Sequence, residues 1–146
     1  MQNAGVFDLG TRSIAAAVTE TVITAATAAD GSAQAFIDRL DGMLAATIEA
    51  AFVYGAGGTT CTVTVETSID QGANWIEIAR LAFTTASKVK IVNLSGLTPK
   101  TTPVEPAVLS DNTVVDGVLG DRMRAKVTST GTYSGSTSVA VRLVAR

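Results

Sequence analysis

The chain has 146 residues, 47% of them apolar and 16% charged, with a net charge of −2, which suits one domain with its own core. It has no histidine and a single cysteine, Cys61. That excludes Ser-His-Asp and Cys-His nucleophiles, histidine metal sites, intrachain disulfides and cysteine zinc sites, and it points away from an enzyme.

The opening segment MQNAGVFDLGTRS lacks a charged leader followed by an apolar stretch, so no signal peptide is expected. Residues 1–13 read instead as an extended N-terminal arm. No apolar run approaches the roughly 18 residues that span a bilayer, so no membrane partner is expected. Residues 25–40 place Ala33, Phe36, Ile37 and Leu40 at helical spacing, which fits a short helix or a strand running into a loop.

From residue 43 onwards the hydrophobic period is two. Leu44, Ala46, Ile48, Ala50 and Phe52 alternate with Thr47, Glu49 and Ala51, and Cys61, Val63 and Val65 alternate with Thr62, Thr64 and Glu66. Val89 and Ile91, flanked by Lys88, Lys90 and Val92, are expected on the core face of a further half-buried strand. Met123, Ala125 and Val127 alternate with Arg122, Arg124 and Lys126, and Val139, Val141 and Leu143 with Ala140, Arg142 and Val144. The pattern predicts half-buried strands near 43–54, 61–68, 75–83, 88–94, 121–130 and 137–146. Gly-rich turns join them, which predicts a single all-β domain over 1–146, an antiparallel β-sandwich or barrel. Residues 97–121 hold all three prolines, Pro99, Pro103 and Pro106, and read as a long Pro-rich loop or a second arm.

Charge is unevenly spread along the chain. Residues 1–78 hold two cations against nine carboxylates, a balance of −7, and residues 79–146 hold nine against four, a balance of +5. Such poles suit head-to-tail packing or docking on a charged lattice, unless the fold interleaves the halves and cancels them. With no basic excess overall, direct nucleic-acid binding is not expected.

Ser68-Ile69-Asp70-Gln71-Gly72-Ala73-Asn74-Trp75 resembles the Asp-box of sialidases and β-propellers, but it occurs once in a chain too short for a propeller. Its spacing has a local cause: Asp70 accepts backbone N–H bonds across the turn, Gly72 supplies positive φ and Trp75 packs back on the hairpin. The three are expected to be structural. Gly55-Ala56-Gly57-Gly58 lacks the lysine and helix of a phosphate loop, and Asp111, Asp116 and Asp121 lack EF-hand spacing, so neither cofactor nor metal is expected. Arg122, Arg124 and Lys126 line one strand face, with Arg142 expected on the neighbouring strand. These four are the candidate interface, read either as a docking stripe for an acidic partner or as a solvated edge.

One resemblance covers roughly residues 43–146. Phe52-x-Tyr54-Gly55-x-Gly57-Gly58-Thr59-Thr60, the run from Glu66 through Trp75-Ile76 to Ala82-Phe83-Thr84, and Gly117-x-Leu119-Gly120-Asp121-Arg122-x-Arg124 with Gly131-x-Tyr133-x-Gly135-x-Thr137 together look similar to small virion proteins of tailed bacteriophages. The resemblance implies a β-sandwich of jelly-roll character, present in many copies on a particle assembled in the host cytoplasm, with no catalytic residues to transfer. The resulting expectation is a capsid decoration (cement) protein that self-associates and binds the major capsid protein or other virion subunits. A tail, neck or baseplate component, or a carbohydrate- or receptor-binding module near Trp75, is the alternative.

Overall fold

A computed structural model describes residues 2–146, and these contain no helix. Thirteen strands follow one another: β1 (Gly5–Ser13), β2 (Val18–Val22), β3 (Ala26–Thr27), β4 (Ala33–Gln34), β5 (Ala45–Val53), β6 (Ala56–Gly57), β7 (Thr60–Ser68), β8 (Ile76–Phe83), β9 (Lys88–Ser95), β10 (Thr113–Val114), β11 (Arg122–Thr130), β12 (Tyr133–Ser134) and β13 (Ser138–Ala145). The long ones form two antiparallel sheets, in the orders β1-β13-β5-β9 and β10-β8-β7-β11-β2. Numbered by themselves from first to eighth, the long strands run 1-8-3-6 in one sheet and 5-4-7-2 in the other.

The period-two pattern explains why these segments are strands. Along β5 and β11 every second residue is buried. Ala46, Ile48, Ala50 and Phe52 on β5, with Val139, Val141 and Leu143 on β13, face Cys61, Val63 and Val65 on β7 and Met123, Ala125 and Val127 on β11, all in one apolar core. An aromatic cluster closes one end: the Phe52 ring stacks on Phe83 at 5.3 Å and meets the edge of Tyr133 at 5.8 Å. Tyr133 is fully buried, and its hydroxyl donates to the Thr84 carbonyl at 2.7 Å. Gly58 has φ 67° and lies against the Tyr133 ring face, where any side chain would collide with the ring.

Three expectations are corrected here. Residues 5–13 are not a free arm: β1 pairs along β13 from Gly5↔Ala145 to Ser13↔Ser138. A bulge between Asp8 and Gly10 hides the alternation of β1 from a sequence reading, and there the Gly10 amide donates to the Asp8 carboxylate at 2.8 Å. The helix considered within 25–40 does not form. The segment makes the β3–β4 hairpin, then Ile37 exchanges both backbone hydrogen bonds with Met123 at the end of β11. Phe36, Ile37 and Leu40 are therefore spaced for docking on a sheet end, and Ile37 and Leu40 are buried there.

The third correction concerns β9. Its register on β5 pairs Ile48 with Val92 and Ala50 with Lys90, which turns Leu94, Val92 and Lys90 toward the core side and Val89 and Ile91 out to solvent. Leu94, buried at 2% exposure, fixes that parity. Lys90 ends at the edge of β8 just beyond its pairing with β10, where its ammonium donates to the Ala82 carbonyl and to Asn112 Oδ1 and lies 5.2 Å from the Phe83 ring centre.

Candidate functional site

The polar outer face of the second sheet is the most elaborated surface of the molecule. Its central strand β7 is buried from Cys61 to Ser68 on both faces. Glu66, 4% exposed, sits in the middle of that outer face. The β7–β11 register sets Arg124 opposite Glu66, and two residues along β11 Lys126 falls on the same face. Arg124 Nε donates to Glu66 Oε2 at 2.6 Å, and Lys126 Nζ lies 2.8 Å from Glu66 Oε1 and 3.7 Å from Glu20 on β2. Both lone-pair sets of a buried carboxylate are thus met by charged donors, the condition under which burying it is tolerated.

The aromatic residues extend this network sideways. The Arg124 guanidinium lies 4.1 Å from the Trp75 ring centre, Trp75 is 5.9 Å from Phe36, and Arg122 is 4.8 Å from the Phe36 ring centre. These are cation–π contacts within one chain. Trp75 is half-buried, with Arg124 over one ring face. Beside it a groove of about 270 Å³ opens between Trp75, Glu66, Glu77, Lys126 and residues 106–108.

The Asp70–Trp75 turn is built from its own polar groups. Asp70 Oδ1 accepts from the Asn74 amide at 2.8 Å and from Ser68 Oγ at 2.9 Å, and Asp70 Oδ2 accepts from Asn74 Nδ2 at 2.7 Å. These bonds, the Asn74 amide first, hold the Asp70 carboxyl below the ordinary range. Gln71 and Gly72 both have positive φ, 59° and 88°. Trp75 then enters the outer face of the sheet rather than stacking wholly on the turn.

The connection from β9 to β11 is pinned along most of its length. Asp116 accepts from the Ser95 amide at 2.6 Å and from Thr98 Oγ1 at 2.8 Å, Asp111 pairs with Arg80 at 3.0 Å, and Glu77 accepts from the Leu109 amide at 2.9 Å. Asp121 donates its amide to the Ser68 carbonyl at 3.1 Å. The three aspartates weighed as calcium ligands thus serve as tethers along the second half of the connection. Residues 99–108 are its longest unbroken exposed run.

Of the four candidate interface residues, Arg122, Arg124 and Lys126 are together on β11, and Arg142 is not with them. The neighbours of β11 are β7 and β2, whereas Arg142 lies on β13 in the other sheet, with its side chain on the opposite outer face of the molecule. The expected four-residue stripe does not exist, because β11 and β13, though consecutive among the long strands, lie in different sheets with the core between them. The halves interleave, and Glu20 and Glu66 from the acidic half neutralise Arg124 and Lys126 from the basic half. The residue missed by the sequence reading is Glu66. Its isolated position on a Thr-rich strand was the only signal, and its role depends on which strand lies beside it.

Comparison with protein-family models, with curated proteins and with solved structures finds no match to this chain.

Proposed function

We propose that the chain is a structural protein of a tailed-bacteriophage virion, a capsid decoration (cement) protein that binds the major capsid protein and stabilises the head shell. The reading includes the finer fold, a β-sandwich of jelly-roll character. The observation that carries it is the strand order: 1-8-3-6 facing 5-4-7-2, antiparallel throughout, is the arrangement of two interlocked Greek keys found in viral capsid domains. The sequence resemblance over residues 43–146 points the same way. No cofactor or catalytic step enters this reading.

The contact with neighbouring virion subunits falls to residues 101–108 rather than to the basic residues of β11, whose charges are already spent on Glu66 and the aromatic rings. Val104 and Val108 are exposed there on a segment whose flanks are tethered, so little ordering entropy is lost on docking. Reversing Arg124 would set two carboxylates together and disrupt the fold itself.

Immunogold labelling of purified particles that encode the chain tests the assignment. Label on the head is the expected result, and label confined to tail or neck would move the protein to that alternative. A particle proteome lacking the chain would overturn the reading altogether. Val104→Asp with Val108→Asp should lower head occupancy while leaving the free subunit folded.

A further inference from the structure

We infer that the outer face of β1-β13-β5-β9 is the contact between two copies of this chain, packed face to face about a two-fold axis running along the strands between β13 and β5. The inference goes beyond the virion reading and does not depend on it, because the pairing is a property of the free protein.

The face is apolar where a monomer has no need for it. Val6, Val53, Val89 and Ile91, at 69, 54, 58 and 62% exposure, all point out of this sheet, with Ala51, Ala140 and Val144 between them. The opposite outer face carries Trp75, the Glu66 ion pairs and the tethers from Leu109 to Glu77 and from Asp111 to Arg80, whereas among the described residues no ion pair forms on this one. The parity of β9 sharpens the point, because it sends two large aliphatic side chains outward and a lysine inward.

The charges on the face identify the occupant. Asp8, Arg142, Glu49 and Ile91 form one register row across the four strands. Arg142 lies between two carboxylates and makes an ion pair with neither among the described residues. A two-fold axis along the strands, midway between β13 and β5, places each β13 over the partner's β5 at the same height. Arg142 then meets Glu49 of the other copy and Glu49 meets its Arg142, giving two symmetric ion pairs from one row. The same operation sets Ala140 against Ala51 and Val144 against Thr47, small side chains that allow the sheets to approach. Reciprocity of this kind is what an isologous interface requires, and aligned sheets pack with their strands within about 30° of each other.

The area suffices. Four strands about 4.8 Å apart and about eight residues long project to roughly 500 Å². Two such faces bury about 1,000 Å² in total, the lower bound for a specific interface, which fits a dimer that dissociates on dilution.

Sedimentation equilibrium of the full chain tests this. The wild type should run as a dimer that dissociates on dilution. Glu49→Arg alone and Arg142→Glu alone should each weaken association about a hundredfold, since like charges then face across the axis. An equimolar mixture of those two variants should dimerise again, because each new charge meets its opposite in the other chain. Val89→Ser with Ile91→Ser, at positions already in water in the free subunit, should give folded monomers without any change of charge. A wild type that is monomeric at all concentrations, a trimer or higher ring, single reversals that leave the dimer intact, or a mixture that stays monomeric would each overturn the inference.

Discussion

The two outer faces of this molecule carry similar residue types and treat them in opposite ways. On the β8-β7-β11-β2 side, a buried glutamate draws in an arginine and a lysine, the arginine lies on a tryptophan, and the β9–β11 connection is tied down alongside. On the β1-β13-β5-β9 side, an arginine between two carboxylates and a set of large aliphatic side chains remain open to solvent. The difference teaches that a charge gains structural weight from desolvation. The Glu66 cluster is shielded, so its loss leaves cations without their counter-charge, whereas Arg142 stays hydrated and contributes little until a second surface covers it.

Glu66→Ala probes that contrast most strongly. It leaves Arg124 and Lys126 facing an uncompensated site, and urea unfolding should show a loss of about 3 kcal/mol, at the lower end for a broken buried pair because both cations retain some exposure. Equal losses for Glu66→Ala and Glu49→Ala would erase the distinction between the faces. Trp75→Ala comes next. A fully enclosed ring would cost about 3–5 kcal/mol, but Trp75 is half-buried, so a loss of about 1–2 kcal/mol is expected from its packing on Phe36 and its contact with Arg124.

Acid should loosen the Asp70 turn and the Asp116 tether before the core. Backbone amides hold the Asp70 and Asp116 carboxyls below their ordinary value near 3.8, the Asn74 amide leading for Asp70 and the Ser95 amide for Asp116. A carboxyl whose folded value is depressed stabilises the fold above its unfolded value, and that contribution is lost as pH falls through the folded value. Stability should therefore hold down to about pH 4 and decline below it, and Asp70→Asn with Asp116→Asn should flatten the decline in a thermal-melt series. The smallest effect belongs to the open face. Arg142→Ala, measured at dilution where the chain is monomeric, should change stability by no more than about 0.5 kcal/mol.

Much of this fold is legible in the sequence wherever one face of a strand meets the core and the other meets water. The strands read at 43–54, 61–68, 121–130 and 137–146 correspond to β5, β7, β11 and β13 with ends shifted by at most two residues. Their alternation fixes which side chains lie inside, and Val63, Val127 and Val141 are fully buried as that pattern requires. The Asp70–Trp75 turn is likewise local chemistry, written in the spacing of an Asp, a Gly and a Trp. β1 and β2 were not legible, because a bulge and a positive φ at Glu20 break their alternation. β9 was legible as a strand but inverted in its faces, since Val89, Lys90 and Ile91 satisfy either parity until Leu94 is seen to enter the core.

The sequence by itself determined the regularly alternating strands β5, β7, β11 and β13, their inward side chains and the Asp70–Trp75 turn, because these depend on the pleat of the backbone and on contacts a few residues apart. Only the tertiary structure decided that Arg124 and Lys126 belong to Glu66, that Arg142 lies on the far side of the core from them, and that one face is covered while the other is bare. Each of these depends on strand order. A β-strand has two edges that accept any antiparallel partner with the same hydrogen bonds, so its own residues do not say which neighbour it takes. That choice is made when the two sheets close over a common core, and it brings charges distant in sequence within bonding distance or sets them on opposite sides.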